Sequence, residues 1–273
     1  MRKNRPDITI VDNPEDTRIS AYRSLKGKEL EREGIFISEG EKVVQAMIDN
    51  HFGAVSCLAA REAIARYMPI LNALKKTGAK VYLADNSVIE EIIGFRFHRG
   101  IMAIGRCPKK RSITGETKNT AGSSLFVALN SVNDPQNVGL IARNAAAFGI
   151  EALIVDNSTY DPYYRKAVRV SMGTIFGLKV FYEDDMLSSI TWLKNKLGVR
   201  IVAASAAKSA KDIKGLEAKG AACIIFGNED KGISSELLRI SDDKIRIPIS
   251  GDVDSLNVAS ASAIFLYEFS RKT

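Results

Sequence analysis

Apolar runs and amphipathic stretches alternate along the chain in two blocks, which a polar segment separates. In the first block, the apolar positions of 39–51 recur with the spacing of a helix. A short apolar strand is predicted at 54–58, a second helix at 60–76 and a second strand at 80–83. This block therefore predicts a small α/β unit.

The second block shows a clearer alternation of buried strands and helices. The run 125–129 is continuously apolar, as expected of a parallel strand that is covered on both faces. A turn and a helix over 138–148 follow it. Further strand-like runs lie at 152–155, 178–181, 200–204, 223–226 and 245–247. This order of elements predicts an α/β sheet domain.

The segment between the blocks breaks the periodic pattern. Pro108, Gly115 and Gly122 interrupt regular structure there, and the segment is polar and mostly basic. A length of 273 residues accommodates two domains of ordinary size. We therefore expect a first domain at 1–106, a linker at 107–122 and a second domain at 123–273.

Composition narrows the classes of function. The net charge of +7 and the pI near 9.2 suit a polyanionic partner, although charge alone leaves that partner open. Cys57, Cys107 and Cys223 form no C-x-x-C pair, which argues against a disulfide framework or zinc site and favours a reducing cytoplasm. No run approaches the roughly 20 apolar residues of a membrane span, so we expect no membrane location. His51 and His98 are too few for a histidine-based metal cluster.

Polar turns follow three of the predicted strands, at 133–139, 227–232 and 247–257. In an open α/β sheet, ligands bind at the carboxyl ends of the strands, because loops and helix N-termini there present unpaired N–H groups. We expect the three turns to form such an edge. No strand is followed by G-x-G-x-x-G or by a P-loop ending, which argues against a Rossmann-type dinucleotide site and a P-loop.

Each turn carries candidate residues that also have a purely structural interpretation. Asn137 could cap or precede the helix, and Arg143 lies one helical turn after Gly139 on the same face. Glu229 is available for a hydroxyl or a cationic group in the second turn. Ser255 is predicted to cap the apolar helix that follows it. Caps, solvated charges and ordinary strand-to-helix turns would produce the same pattern.

The three turns, in this order, resemble the motifs of the SpoU/TrmH family, a branch of the SPOUT class of methyltransferases. Asp134–Gly149 resembles the first motif, Ile225–Ser234 the second and Ile247–Ala259 the third. Lys166–Gly173 is similar to the family's Arg-x-Ser-x-Gly stretch. Phe36–Gly40 resembles the Glu-Gly signature of the small substrate-binding domain that many members carry.

The resemblance implies an α/β catalytic domain with a C-terminal trefoil knot, preceded by a small α/β RNA-binding domain. It further implies bound S-adenosyl-L-methionine, a homodimer in which both subunits build the site, and methyl transfer to a ribose 2′-hydroxyl of RNA. We expect rRNA as the substrate. A tRNA methyltransferase, a non-catalytic RNA-binding or ribosome-assembly protein, and an antibiotic-resistance methylase of the same chemistry are the alternatives.

Site residues follow from the resemblance position by position. The expected catalytic residues are Asn137, Arg143, Glu229, Ser255 and Asn257. The expected cofactor-binding residues are Gly227, Ile247 and Leu256. Because a guanidinium group stays protonated, we expect Arg143 to hold the hydroxyl or an adjacent phosphate and to stabilise alkoxide charge. Asn130 stands where many members have Asp, and we expect this departure to affect packing.

Overall fold

The computed structural model describes residues 8–23, 30, 32–98, 100–116, 124–214, 220–250 and 255–270. The chain forms two compact units. The first comprises residues 1–108 and 163–177, and the second comprises residues 109–162 and 178–273. The segment 163–177, which the sequence places in the second domain, therefore packs with the first unit, and the chain leaves and re-enters the second unit around it.

Strands and helices alternate in both units. The described strands are β1 (Ile8–Ile10), β2 (Ile35–Glu39), β3 (Ala54–Ala60), β4 (Lys80–Ala84), β5 (Ile101–Arg106), β6 (Leu125–Asn130), β7 (Ala152–Asp156), β8 (Val180–Glu183), β9 (Arg200–Ala204), β10 (Lys211–Asp212), β11 (Ala222–Gly227) and β12 (Asp243–Arg246). The helices are α1 (Ser20–Arg23), α2 (Glu41–Asp49), α3 (Ile64–Lys76), α4 (Asn86–Ile93), α5 (Pro135–Ala147), α6 (Arg165–Val170), α7 (Met186–Leu197), α8 (Ser235–Ile240) and α9 (Val258–Ser270).

The first unit is built on a mixed sheet in the order β1-β4-β3-β5-β2. Strands β1, β4 and β3 are parallel, whereas β5 runs antiparallel to both β3 and β2. All five residues of the edge strand β2 are buried, and α6 packs against this strand. The segment 163–177 thus covers a sheet edge that would otherwise present unpaired backbone groups.

The second unit is built on a parallel sheet in the order β10-β12-β9-β11-β6-β7-β8. Its central strands are apolar along their length because a parallel sheet is covered by helices on both faces, and all six residues of β6 are buried. Neighbouring strands β11 and β6 are in register to their ends, where Gly227 lies opposite Asn130. This register brings the loops that follow β6 and β11 together at one edge.

Residues 109–116, expected to belong to a linker, are attached to the edge strand β8. The backbone N–H of Tyr182 donates to the carbonyl of Arg111 over 2.9 Å. The buried carboxylate of Glu183 accepts bonds from the N–H of Ile113 at 2.6 Å and from the hydroxyl of Ser112 at 2.9 Å. The remainder of the expected linker, 117–122, lies outside the described residues.

The predicted elements of the second unit correspond closely to the observed ones, and 200–204 matches β9 at both ends. In the first unit, the prediction of a helix from residue 39 was wrong at its start. Glu39 ends β2, and Gly40, with φ of 93°, turns the chain before α2 begins. Strands β1, β2 and β5 and helices α1 and α4 of this unit were not predicted. The trefoil knot stays a prediction. Within the described ranges, no helix has the length and apolar character needed to cross a membrane.

Candidate active site

Helix α5 begins directly after the loop that follows β6. Asp134 is its N-cap, because its carboxylate accepts from the N–H of Gln136 over 2.9 Å. Pro135 occupies the first helical position, where its missing N–H leaves no hydrogen bond unmade. The prediction that Asn137 caps or precedes this helix was therefore wrong. Asn137 lies inside the first turn, and only 5% of its surface is exposed.

The side chain of Asn137 joins the other two sequence motifs. Its Nδ2 donates to Glu229 Oε1 over 2.6 Å, and its Oδ1 accepts from Asn257 Nδ2 over 3.0 Å. A carboxylate accepts hydrogen bonds only, so Glu229 determines which end of the Asn137 amide faces it. Three of the five expected catalytic residues thus form one hydrogen-bonded chain.

Asn257 also begins α9. Its Oδ1 accepts from the N–H groups of Ala259 at 2.9 Å and Ser260 at 3.3 Å, which makes Asn257 the N-cap. The prediction of Ser255 as the cap was wrong because the helix starts at Val258, three residues later. Ser255 lies exposed before the cap, and its catalytic role stays a prediction.

The loop after β11 is a tight turn that holds Glu229 near its tip. Backbone bonds of 3.1 and 2.9 Å join Asn228 and Gly232 in both directions. A Cβ on Gly227 would lie 2.4 Å from the carbonyl carbon of Gly232 and from the nitrogen of Ile233, so only glycine fits there. The close approach of backbone to backbone explains the first glycine of the motif.

Helices α5 and α9 run side by side in the same direction. Asn144 Nδ2 donates to the carbonyl of Ala259 and to the hydroxyl of Ser262, each over 2.9 Å. Further along, the rings of Phe148 and Tyr267 lie 6.3 Å apart. Contacts therefore follow the same order on both helices, and both N-termini point to one edge of the sheet. The positive ends of two helix dipoles favour negative charge at this edge.

Arg143 is exposed on α5 and does not join the amide chain. It lies six residues after Asn137, which places it about 120° around the helix. Among the described residues, no carboxylate pairs with its guanidinium group. The charge of Arg143 is thus available to a ligand.

The three expected cofactor-binding positions lie at strand ends and in loops at the same edge. Ile247 follows β12 directly and is half-buried, and Gly227 ends β11. Leu256 is 37% exposed and precedes the cap of α9, while Ile249, two residues after Ile247, is 39% exposed. Apolar side chains and irregular backbone at one edge suit a ligand with a flat apolar ring and hydrogen-bonding edges.

The buried cysteines do not supply a reactive thiol to this edge. Cys57 and Cys223 are fully buried inside strands, and burial raises the pKa of Cys223 to about 12. A thiol in such surroundings is a poor nucleophile.

Two residues at the strand ends were missed as functional candidates. Asn130, at the end of β6, donates to the carboxylate of Asp156, at the end of β7, over 2.8 Å. The sequence marked Asn130 only as a departure from the family pattern, and no sequence signal connected it with Asp156, because the two lie on different strands.

The fold and the site together define an α/β domain with a parallel sheet and a ligand edge built from three loops. Residues 124–267 match the sequence model of the SpoU rRNA Methylase family. A tRNA/rRNA methyltransferase of Mycobacterium bovis, described as uncharacterized, is 32% identical over 97% of this chain and 92% of its own length. The chain belongs to the SpoU rRNA methylase family.

Two further similarities extend this result. The 23S rRNA (guanosine-2′-O-)-methyltransferase RlmB of Acinetobacter baylyi is 29% identical over 76% of this chain and 84% of its own length. The structure of an AdoMet-bound rRNA methyltransferase from Sinorhizobium meliloti superposes with a TM-score of 0.86, at 25% identity, over 97% of this chain and 98% of the other. The shared fold spans both units of the chain.

Proposed function

We propose that this protein is an S-adenosyl-L-methionine-dependent RNA methyltransferase that acts on a ribose 2′-hydroxyl, with rRNA as its substrate. The observation that carries the proposal is the hydrogen-bonded chain Glu229–Asn137–Asn257, which unites all three family motifs at one edge. Arg143, on the same helix as Asn137, forms no ion pair with any described residue. The family and the named activities of its relatives support the substrate class.

The residues at the edge fit S-adenosyl-L-methionine. The apolar side chains of Ile247 and Leu256 suit the faces of the adenine ring, and the backbone near Gly227 suits its polar edges. When bound, this cofactor supplies an electrophilic methyl group.

Arg143 holds the ribose 2′-oxygen or the neighbouring phosphate. Its guanidinium group carries a permanent charge and several donors, so it stabilises negative charge on the ribose 2′-oxygen. The N-termini of α5 and α9 add positive potential at the same edge. The amide chain keeps Glu229 oriented towards Asn137, and the loop after β11 is thereby held in place.

The proposal includes a homodimer. Ile264 and Tyr267, three residues apart on α9, are 37% and 48% exposed. Large apolar side chains that stay exposed on a helix favour contact with a second copy of the chain. A second copy seated there would lie next to the helix that carries Arg143, so both subunits would contribute to the site.

The first unit selects the RNA in this proposal, and the net charge of +7 favours a phosphate backbone. A tRNA methyltransferase is the alternative within the same chemistry. The intact amide chain, and an Arg143 without an ion-pair partner among the described residues, speak against a non-catalytic RNA-binding protein. An rRNA substrate and the absence of a C-x-x-C pair support a cytoplasmic location.

The test is methyl transfer from labelled S-adenosyl-L-methionine to purified rRNA and tRNA, followed by mapping of 2′-O-methyl positions. We expect incorporation into rRNA at discrete riboses. Incorporation into tRNA alone would identify tRNA as the substrate in place of rRNA. Labelling of bases without ribose methylation would overturn the proposed reaction.

A further inference from the structure

A polar network joins the carboxyl ends of β6, β7 and β11, and none of the expected site residues accounts for it. Asn130, the last residue of β6, is 9% exposed. Its Nδ2 donates to Asp156 Oδ2 over 2.8 Å, and its Oδ1 accepts from the backbone N–H of Ser234 over 2.8 Å. Ser234 is the N-cap of α8, so one amide ties β6 both to β7 and to the end of the loop after β11.

Asp156 also holds the residue that follows Asn130. The backbone N–H of Ser131 lies 3.1 and 3.0 Å from the two oxygens of Asp156. Ser131 has a φ of 62°, a left-handed conformation that residues with a side chain rarely adopt. Its carbonyl accepts from Asn228 Nδ2 over 2.9 Å. Asp156 thus stabilises the turn that anchors the start of the loop after β11.

Both ends of that loop, residues 227–234, therefore depend on the same two side chains. We propose that Asn130 and Asp156 are a positioning pair that holds loop 227–234 and thereby sets the place of Glu229 and of the backbone at Gly227. The role of this pair in ligand binding rests on the proposed function, because Glu229 and Gly227 belong to that site. Its role in holding the loop rests on the hydrogen bonds alone.

The pair works because one member is an amide and the other a carboxylate. Asp156 receives donors from Asn130, from the backbone of residues 131, 158 and 159, and from the hydroxyl of Thr159. Asn130 must donate to Asp156 and accept from Ser234 at the same time, which a carboxylate at position 130 could do only if a proton lay between the two acids.

The charged groups around Asp156 would not compensate the negative charge of a second carboxylate at position 130. Glu183, its neighbour in register on β8, accepts bonds from Ser112 and Ser189. Asp184 accepts from Asn157, and Glu229 accepts from Asn137. No lysine or arginine in the described part of the chain forms an ion pair with Asp156. Two carboxyl groups here would share one proton, and the pKa of the pair would be raised.

The test is Asn130→Asp, followed across pH by two measurements. At about pH 5 the shared proton preserves the hydrogen bond between residues 130 and 156. At about pH 8 the proton and this bond are lost, because an acid pair with a raised pKa stabilises the folded state only below that pKa. We expect the amides of 228–234, in the protein alone, to lose protection from hydrogen exchange relative to the wild type at the same pH as the pH rises over this range. Affinity for S-adenosyl-L-methionine, relative to the wild type at each pH, should fall by at least about 10-fold.

Two further variants separate positioning from general damage. Asn157→Asp creates the same kind of acid pair against Asp184, an exposed contact of 2.8 Å that does not touch loop 227–234, and should match the wild type. The reciprocal variant Asn130→Asp/Asp156→Asn restores one amide and one carboxylate. It should return hydrogen exchange and S-adenosyl-L-methionine affinity to the wild-type values at every pH, even if the single variant unfolds at high pH.

The proposal is overturned if Asn130→Asp exchanges and binds as the wild type does at every pH, or if the reciprocal variant behaves no better than the single one. A wild-type protein that does not bind S-adenosyl-L-methionine would instead remove the proposed function. The exchange measurement would still decide whether the pair holds the loop.

Discussion

Single side chains determine what the candidate site offers to a ligand. Asn137 is buried and hydrogen-bonded at both ends of its amide, whereas Arg143 on the same helix is exposed and unpaired within the described residues. The first residue organises the loops, and the second is available for RNA. Substitutions at these two positions should therefore have different consequences, because only Arg143 lacks a structural partner in the described chain.

Arg143→Ala should lower the rate of methyl transfer by at least about 100-fold, the scale lost when one preorganised electrostatic contact is removed. Thermal stability and S-adenosyl-L-methionine affinity should change little, since the side chain makes no ion pair in the described structure. Arg239→Ala, which removes an exposed arginine from α8, is the matched control and should retain full activity.

Near wild-type turnover of Arg143→Ala would contradict the role of Arg143. Arg143→Lys provides a second probe, because lysine keeps the charge but loses the planar fork of donors. We expect partial recovery if charge dominates and none if the fork is required.

Helix and strand ends are the elements that build the edge. Asn257 has two functions there, since it caps α9 through its Oδ1 and binds Asn137 through its Nδ2. The first function serves the stability of the helix, and the second serves the amide chain. A substitution that preserves only the cap can separate them.

Asn257→Asp should keep the cap, because aspartate is as good an N-cap as asparagine and its charge is favourable at a helix N-terminus. It should lose the bond to Asn137 Oδ1, since a carboxylate has no proton to donate. We expect a melting temperature above that of Asn257→Ala, because the cap is kept, together with reduced turnover. Asn257→Ala loses both functions and should be less stable by about 1 kcal/mol. Equal turnover of Asn257→Asp and the wild type would show that the amide chain is dispensable.

The loop after β11 should not tolerate a side chain at its first residue. In Gly227→Ala, the new Cβ would lie 2.4 Å from backbone atoms of Gly232 and Ile233, so the loop must move. We expect calorimetry to show weakened S-adenosyl-L-methionine binding. Gly53→Ala, whose Cβ would meet no atom within 4 Å, is the control and should bind as the wild type does. Unchanged binding by Gly227→Ala would show that this loop does not contribute to cofactor binding.

The whole molecule is not two successive domains along the chain. Tyr163 and Phe176 are each 4% exposed and pack in the first unit, where the ring of Phe36 lies 5.9 Å from Tyr163 and 5.0 Å from Phe176. A Cβ on Gly173 would lie 2.8 Å from that of Ala46. The first unit is thus incomplete without a segment from the middle of the chain.

A fragment of residues 109–273 should therefore expose the apolar surface of 163–177. We expect it to bind a hydrophobic dye and to form assemblies larger than a dimer at concentrations where the full chain does not. The same fragment with Tyr163→Ser and Phe176→Ser should associate less. Compared with the full chain, it should lose more affinity for RNA than for S-adenosyl-L-methionine, because the rest of the first unit is missing. A fragment that behaves as the full chain does in both assays would contradict the assignment of 163–177 to the first unit.

Local patterns were sufficient for the elements of the second unit. The strands of a parallel sheet are buried on both faces, so β6, β9 and β11 are continuous apolar runs in the sequence. The three polar turns and their order along the chain were sufficient for the family. Caps were harder to assign, because Asp, Asn and Ser cap helices about equally well. This explains why Asp134 and Asn257 were missed as caps.

Which polar groups meet depends on tertiary contacts between distant parts of the chain. Asn137 and Glu229 are 92 residues apart, and Asn130 and Asp156 are 26 apart, on elements whose adjacency depends on strand order rather than on local pattern. Local sequence patterns could not predict that 163–177 belongs to the first unit. The edge of β2 that this segment covers lies more than 100 residues earlier in the chain. Local sequence patterns were enough for most strands of the second unit and for the chemical inventory of the edge. Burial and register, which depend on the whole chain, determined how that inventory is arranged.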